Sequence, residues 1–358
     1  MSSVLDINSL QQHWPLPSAP RPIVIVGTGG IVNDAHMPAY RKAGFKVVGL
    51  VDVDAGRLAQ AAQRWEVADT DTDVAAMAAR HPDAVFDVAV PPAAICAVLQ
   101  QLPDGACVLI QKPMGSDWAQ ARDILALCRC KSLMAAVNHQ LRFAPYMLAV
   151  RDALQRGWLG ELSDVDMHLN CADPWHLFPF LEGMARVEIQ VHSIHYLDLI
   201  RSLLGEPQGV YALTLADARY PKLASTRSSV ILNYGATSRV SLSLNHNYAH
   251  GEQGQCALFK FEGTQGVIFV QLGVMLDYPQ GRPDSLRLKH ASGDWQDLPL
   301  QGSWFPDAFV GPMANLQRFA AGQDPQLLTA VGDVVHTMAL VEAAYQSSAT
   351  GGQRLPSL

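Results

Sequence analysis

The chain has 358 residues, 49% of them hydrophobic and 16% charged, with a formal net charge of −7. That length supports two domains with sizeable cores, and the composition excludes a disordered chain. The negative balance argues against a general nucleic-acid binder, and no apolar run reaches the length of a membrane span.

Residues 1–21 are polar and proline-punctuated, an extension that is either loose or crosses onto a partner subunit. No basic segment leads into an apolar one there, so the expected location is the cytoplasm. From Ile23 to about Val137 apolar runs alternate with helical patterns. Strands are expected at 23–26, 46–51, 84–90, 107–111 and 133–137, with helices such as 55–65, 93–101 and 117–130 between them. This alternation predicts an α/β fold with a doubly wound parallel sheet.

The first strand runs directly into Gly27, Thr28, Gly29, Gly30 and Ile31, and a helix-compatible segment follows. Strand, glycine turn and helix form the context of a dinucleotide site. Gly27 permits the sharp turn, and Gly29 lets the backbone approach a pyrophosphate. The free N–H groups opening the next helix favour the anion. The third glycine of the G-x-G-x-x-G pattern falls at Val32, so the rest of the unit must support the reading. It does so through Asp52, which ends the run Val47 to Val51 and suits an acid bonding the adenosine ribose hydroxyls. Gly27, Gly29, Gly30, Ile31 and Asp52 are therefore cofactor candidates. The competing reading is an ordinary turn with a solvated aspartate.

Two later strand ends are chemically distinctive. Val85 to Val90 runs into Pro91-Pro92, and Val108 to Ile110 runs into Gln111-Lys112-Pro113. Ligands of open α/β sheets bind beyond the carboxyl ends of strands. Pro91, Gln111 and Lys112 thus join the cofactor candidates, and Lys112 stands where cofactor and substrate would meet. Its alternative is a solvated loop lysine. A cis bond at Pro113 would aim Lys112, and the sequence leaves the isomer open.

Beyond Asn138 the pattern changes. Tyr146 to Arg156 reads as a helix and 161–170 as a strand, followed by an aromatic loop from Asp173 to Phe180. A helical stretch from about Ala185 to Leu204 stops at Gly205 and Pro207. Strands are expected at 209–216, 228–234, 238–246, 256–262 and 266–272, and helices near 307–321 and 329–347. The expected division is a Rossmann domain over 1–139 and, over 140–358, an α/β domain with a large, mostly antiparallel open sheet. The six cysteines include no C-x-x-C and read as reduced core residues.

The stretch 185–204 carries Glu188, His192 and His195 at i, i+4 and i+7. On an ideal helix they lie within about 60° of arc, with Val191 on the same face. Three readings compete: a catalytic face with a histidine as general base, a metal site, or packing. Position after a nucleotide-binding domain favours the first, and no metal is expected.

Five segments now combine. GTGGIVNDAHMPAY at 27–40, DVAVPPAAI at 87–95, QKPMG at 111–115, the stretch 138–162 and HYLDLIRSLLGEP at 195–207 follow one another as in a known family. The chain resembles the glucose–fructose oxidoreductase/inositol dehydrogenase family, Gfo/Idh/MocA. The resemblance implies a Rossmann domain, then an α/β domain whose open sheet often builds dimers or tetramers. It also implies hydride transfer between NAD(H) or NADP(H) and a CH–OH group of a sugar or polyol. Lys112 matches the family lysine that binds the substrate hydroxyl, and His195 matches the family's catalytic histidine. Asp52 matches the acid that favours NAD over NADP, because a 2′-phosphate would meet a like charge; Arg57 lies close to it. Three positions depart: Gln111 replaces the family glutamate, Ile95 a histidine and Val191 the usual catalytic aspartate. Glu188 and His192 are candidate replacements for that carboxylate partner of His195. Asn138, Arg142, Trp175, His176 and His192 are candidate substrate contacts, and Asp198 is read as a support for the helix or an interface.

The resulting expectation is an NAD-dependent dehydrogenase of a sugar, polyol or glycoside, assembled as a homodimer or homotetramer, with no nucleic-acid or membrane partner. The rivals are a dehydrogenase of a non-sugar substrate such as an aromatic dihydrodiol, a non-catalytic dinucleotide-binding regulator, and a metal hydrolase.

Overall fold

The computed structural model describes residues 5–278, 280–291 and 293–352. Contacts divide the chain into two compact units. One comprises Gln12–Leu148 and Trp304–Met338; the other comprises the residues up to Gln11, Ala149–Ser303 and the residues from Ala339.

The first unit holds six parallel strands: β1 (Ile23–Val26), β2 (Val47–Val51), β3 (Asp69–Asp71), β4 (Val85–Val88), β5 (Cys107–Gln111) and β6 (Met134–Asn138). Their spatial order is β3-β2-β1-β4-β5-β6. The helices between them are α1 (Met37–Ala43), α2 (Ala55–Trp65), α3 (Val74–Arg80), α4 (Ile95–Gln101) and α5 (Trp118–Cys130). Asp54, Asp73 and Asp117 cap α2, α3 and α5 by accepting N–H bonds from the first turn. β1, β4 and β5 are buried along their whole length, as expected of central parallel strands. The order reverses between β1 and β4, which places the ligand crevice beyond their carboxyl ends.

β3 and α3 escape the sequence pattern for physical reasons. β3 is Asp-Thr-Asp and has no apolar residue; Arg80 holds it by ion pairs to Asp69 and Asp71, and His81 Nε2 meets Asp69 at 2.7 Å. α3 has only seven residues and buries Val74, Met77 and Ala78.

The second unit carries an eight-stranded sheet: β7 (Leu162–Asn170), β8 (Gly209–Leu215), β9 (Arg227–Asn233), β10 (Arg239–Asn245), β11 (Cys256–Gly263), β12 (Gly266–Gln271), β13 (Ser285–His290) and β14 (Trp295–Leu298). The order is β14-β13-β12-β11-β7-β10-β9-β8, antiparallel throughout except for the parallel pair β7–β10. Burial alternates along β9, β10 and β11, so one sheet face is covered and the other is not. β13 and β14 are short and were not expected from the pattern; antiparallel pairing with β12 extends the sheet to them. Helix α6 (Pro145–Gln155) precedes β7, and α7 (Ile194–Leu204) follows it.

Two final helices are α8 (Val310–Ala320) and α9 (Val331–Thr350). α8 packs on β5 and β6, and Ala330 bridges to Ala136 on the outer edge of β6. Residues 304–338 therefore cover a strand edge of the first unit, although they follow the second in sequence. The end of α9 serves the second sheet: Ser347 and Ser348 accept the N–H groups of Ala212 and Thr214 on edge strand β8.

Residues 5–21 are neither loose nor extended away, because they have apolar and polar anchors on their own chain. Ile7 and Leu10 are buried, and Arg156 binds Ser9. Trp14 Nε1 donates to Asp324 at 2.9 Å, and the Arg21 guanidinium donates to the carbonyls of Asp83 and Ala84. All six cysteines are free thiols, with Cys130 exposed rather than in the core. No described helix is long and apolar enough to cross a membrane.

Candidate active site

The glycine turn sits at the carboxyl end of β1. Gly27 has φ +95°, and a Cβ there would lie 2.4 Å from the Ala89 carbonyl oxygen. Only glycine meets both demands. Gly29 differs, since a Cβ would find nothing within 4 Å. Its open side is the cradle that a pyrophosphate needs. Ile31 is half-buried and leads into a wide turn, Val32–His36, that precedes α1. Asn33 ties the loop down by donating to the carbonyls of Thr28 and Gly29.

Asp52 is not a solvated loop residue. The Thr28 N–H and hydroxyl both donate to it at 2.8 Å, Asp54 N at 2.9 Å and the Arg57 guanidinium at 3.1 Å. Burial raises its pKa, but the bonds from Asp54, Thr28 and Arg57 win and hold the carboxyl below its ordinary range. A fixed acid thus stands beside an open glycine, and these residues fit a dinucleotide. Gly29→Ala is expected to leave the urea midpoint within measurement error yet weaken NAD binding at least tenfold by titration calorimetry. Gly27→Ala is expected to lower unfolding free energy by about 2 kcal/mol or more, from strain and clash together.

At the end of β5 the Lys112–Pro113 bond is cis. Lys112 is half-buried, and burial brings its amine down to about 8. Gln111 beside it is buried; its Oε1 accepts the Lys112 N–H at 2.9 Å, and its Nε2 lies 3.3 Å from His36 Nε2. His36 is wholly buried and faces Asp87 through Nδ1 at 2.6 Å. Tyr40 donates its hydroxyl to the same Asp87 oxygen at 2.7 Å. The carboxylate requires the imidazole proton on Nδ1, which leaves Nε2 to accept from the Gln111 amide. Asn138 completes the group, its Nδ2 3.4 Å from His36 Nε2. A glutamate at 111 would offer His36 no N–H, whereas the Gln111 amide does. The sequence reading missed Asp87. Its signal was an acid inside an otherwise apolar strand, which must have buried partners.

Two proposed contacts have internal partners. Asn138 is wholly buried against His36, and Arg142 donates to the Leu328 carbonyl at 2.7 Å and to Asp333 at 2.9 Å. Pro91 is exposed and starts the turn before α4, its carbonyl accepting Ala94 N–H.

In the second unit His195 is buried in the first turn of α7. The preceding segment is not α-helical: Glu188–Ser193 forms a wide i→i+5 turn, so the 60° arc of an ideal helix does not apply. The wide turn sets Ser193, five residues on, against Glu188, whose two oxygens accept its hydroxyl at 2.7 and 3.0 Å. Glu188 is wholly buried and also faces His246 Nε2 at 3.2 Å. His246 Nδ1 faces Asp173 at 2.8 Å. Burial opposes protonation of His246, but the Asp173 charge and the surrounding bonds raise its pKa well above the ordinary value. Burial likewise raises Glu188 and Asp173, and His246 brings both below their ordinary ranges.

His192 is half-buried and stacks on His246 with centroids 4.4 Å apart. Trp175 lies against both rings and donates Nε1 to Asn247 at 2.7 Å. His176 is exposed beside it. Val191 joins an apolar cluster with Leu181, Val187 and Leu223, which explains why no carboxylate stands there. Glu188, His192 and Trp175 are thus gathered around His246, a residue the sequence reading did not single out.

Comparison with known proteins follows this geometry. Residues 21–139 match the NAD-binding Rossmann fold of the GFO_IDH_MocA oxidoreductase family, and residues 151–355 match its C-terminal alpha/beta domain. A D-apiose dehydrogenase of Paraburkholderia graminis is 27% identical over 337 residues, 90% of this chain and 86% of the relative. The trans-1,2-dihydrobenzene-1,2-diol dehydrogenase of Mus musculus is 26% identical over 49% of this chain and 55% of its own. The fold is shared with an oxidoreductase from Agrobacterium radiobacter solved with NAD+, L-tartaric acid and magnesium. That likeness has a TM-score of 0.78 and 21% identity, covering 93% of this chain and 98% of the other.

Proposed function

The chain belongs to the Gfo/Idh/MocA oxidoreductase family, and from that premise we propose that it is an NAD-dependent dehydrogenase of a CH–OH group on a sugar, polyol or glycoside. The observation that carries this reading is Lys112, a half-buried amine brought down to about 8 at the carboxyl end of a central parallel strand. A lysine so placed exchanges its proton near neutral pH, which a solvated loop lysine does not. The relative named for D-apiose supports a carbohydrate substrate.

Gly27 to Ile31 and Asp52 would hold NAD, which would supply the acceptor or donor of hydride. The Asp52 charge disfavours a 2′-phosphate, against the pull of Arg57 beside it, so NAD is preferred over NADP. Lys112 binds the reacting hydroxyl and stabilises negative charge developing on its oxygen. His195 takes the proton in oxidation and returns it in reduction. Gln111, His36 and Asp87 position the Lys112 backbone. The Trp175–His176 segment offers an aromatic face and an exposed imidazole to a ring substrate. Tyr211, Leu213 and Ile231 are large, exposed apolar residues on β8 and β9, which supports assembly with a like subunit through the open sheet face.

The test is reduced-nicotinamide absorbance with NAD or NADP and a panel of aldoses, inositols, uronates, glucosides and dihydrodiols. Turnover with one stereochemical set of sugars, at least tenfold faster with NAD, is expected; Asp52→Ala narrows that preference. Turnover of dihydrodiols alone overturns the carbohydrate reading. NAD binding without any turnover overturns the enzyme and favours a regulator.

A further inference from the structure

Cys171, Asp173 and His246 bring a thiol, a carboxylate oxygen and an imidazole nitrogen within 4.8 Å of one another. Cys171 Sγ is 3.3 Å from Asp173 Oδ1 and 3.9 Å from His246 Nδ1, and Asp173 Oδ2 is 2.8 Å from that nitrogen. Tetrahedral zinc with sulfur, nitrogen and oxygen ligands needs edges of about 3.3–3.6 Å, so small shifts of these three side chains make room for the ion between them. His192 is not a fourth ligand, because its ring stacks on that of His246 with centroids 4.4 Å apart and the two cannot both hold one ion in their planes. The backbone fixes the two segments that carry the three ligands. Cys171 N donates to Asn245 O, Asp173 N to His246 O and Tyr248 N to Cys171 O.

Two further observations point to a cation. Glu188 faces the other nitrogen of His246 at 3.2 Å, the carboxylate–histidine arrangement that orients a metal-bound imidazole. Asp173 and Glu188 also place two buried carboxylates against one imidazole, and among the described residues no lysine or arginine lies within ion-pair distance of either acid, the other nitrogen near them being His192 Nδ1 at 3.9 Å from Asp173. Such surroundings favour a cation. Sulfur and nitrogen donors select zinc over magnesium or calcium. We propose that Cys171, Asp173 and His246 form a zinc site that ties the segment after β7 to the segment after β10. A water completes the tetrahedron, and Glu188, behind His246, comes from the wide turn before α7.

The full chain, stripped with a chelator, is titrated with cobalt(II) and then zinc(II). One equivalent of cobalt is expected to give a near-ultraviolet thiolate-to-cobalt band that zinc abolishes. Cys171→Ser removes the band, and Glu188→Gln weakens affinity ~10–100-fold. Asp173→Asn, at a half-buried position, also weakens it at least tenfold and serves if the cysteine variant fails to fold. A band that persists in folded Cys171→Ser, or unchanged affinity in Asp173→Asn, overturns the site. So does the absence of stoichiometric binding by the native chain, which leaves a hydrogen-bonded cluster.

Discussion

Lys112→Met is expected to lower kcat by ~100–1000-fold with KM changed far less, the usual consequence of deleting one donor that stabilises charge in the transition state. Methionine keeps the length and apolar stem of lysine, so the loop is retained. The pH profile gives the sharper reading. Burial brings the Lys112 amine down to about 8 from the ordinary 10.5. Reduction of the carbonyl product requires the cation, so its rate falls as pH rises through 8. That limb vanishes in the methionine variant. Stability moves the other way. Between pH 8 and 10.5 the unfolded chain holds the proton that the folded chain has released, so unfolding free energy rises with pH across this window. Lys112→Met flattens the rise in urea midpoints measured from pH 8 to 10.5. A retained rate limb in the variant removes Lys112 from the chemistry.

Much of the frame was legible because periodicity and turn chemistry are local. β1, β2, β4, β5 and β6 are mostly apolar runs in an alternating pattern, with Asp87 the one charged residue inside them, and the glycines at Gly27 and Gly29 follow directly on β1. The same logic failed where stability comes from distant partners. β3 contains no apolar residue and depends on Arg80 and His81. The segment 188–193 has helical composition, but its hydrogen bonds run i→i+5, a shift that periodicity cannot register.

Site residues divide in the same way. The place of Asp52 beside the glycine turn was readable because it ends the strand that follows the glycines. His246 was not, because its chemistry comes from Asp173, 73 residues away, and Glu188, 58 residues away. Arg142 reads in the sequence as a candidate substrate contact, while the fold gives it Asp333 and the Leu328 carbonyl as partners. A charged residue read alone looks available; only tertiary contacts show what it already holds.

Asp87 gives the largest expected loss of stability. Its Oδ2 holds His36 and Tyr40, both essentially without exposure to solvent. Asp87→Ala leaves an imidazole N–H and a hydroxyl buried without an acceptor, at a cost of ~3–5 kcal/mol by analogy with broken buried pairs. A lower urea midpoint at unchanged slope reads this loss. Asp87→Asn tells the shape of the site from its charge. The carboxamide oxygen takes the place of Oδ2 and accepts from both the His36 ring and the Tyr40 hydroxyl. The His36 proton then stays on Nδ1, Nε2 still accepts from the Gln111 amide, and Gln111 Oε1 still accepts the Lys112 N–H. The urea midpoint of Asp87→Asn is therefore expected much nearer the native value than that of Asp87→Ala, with kcat within a few-fold of native. An asparagine variant as unstable as the alanine one means that the charge of Asp87, and not its acceptor oxygen, holds His36 and Tyr40.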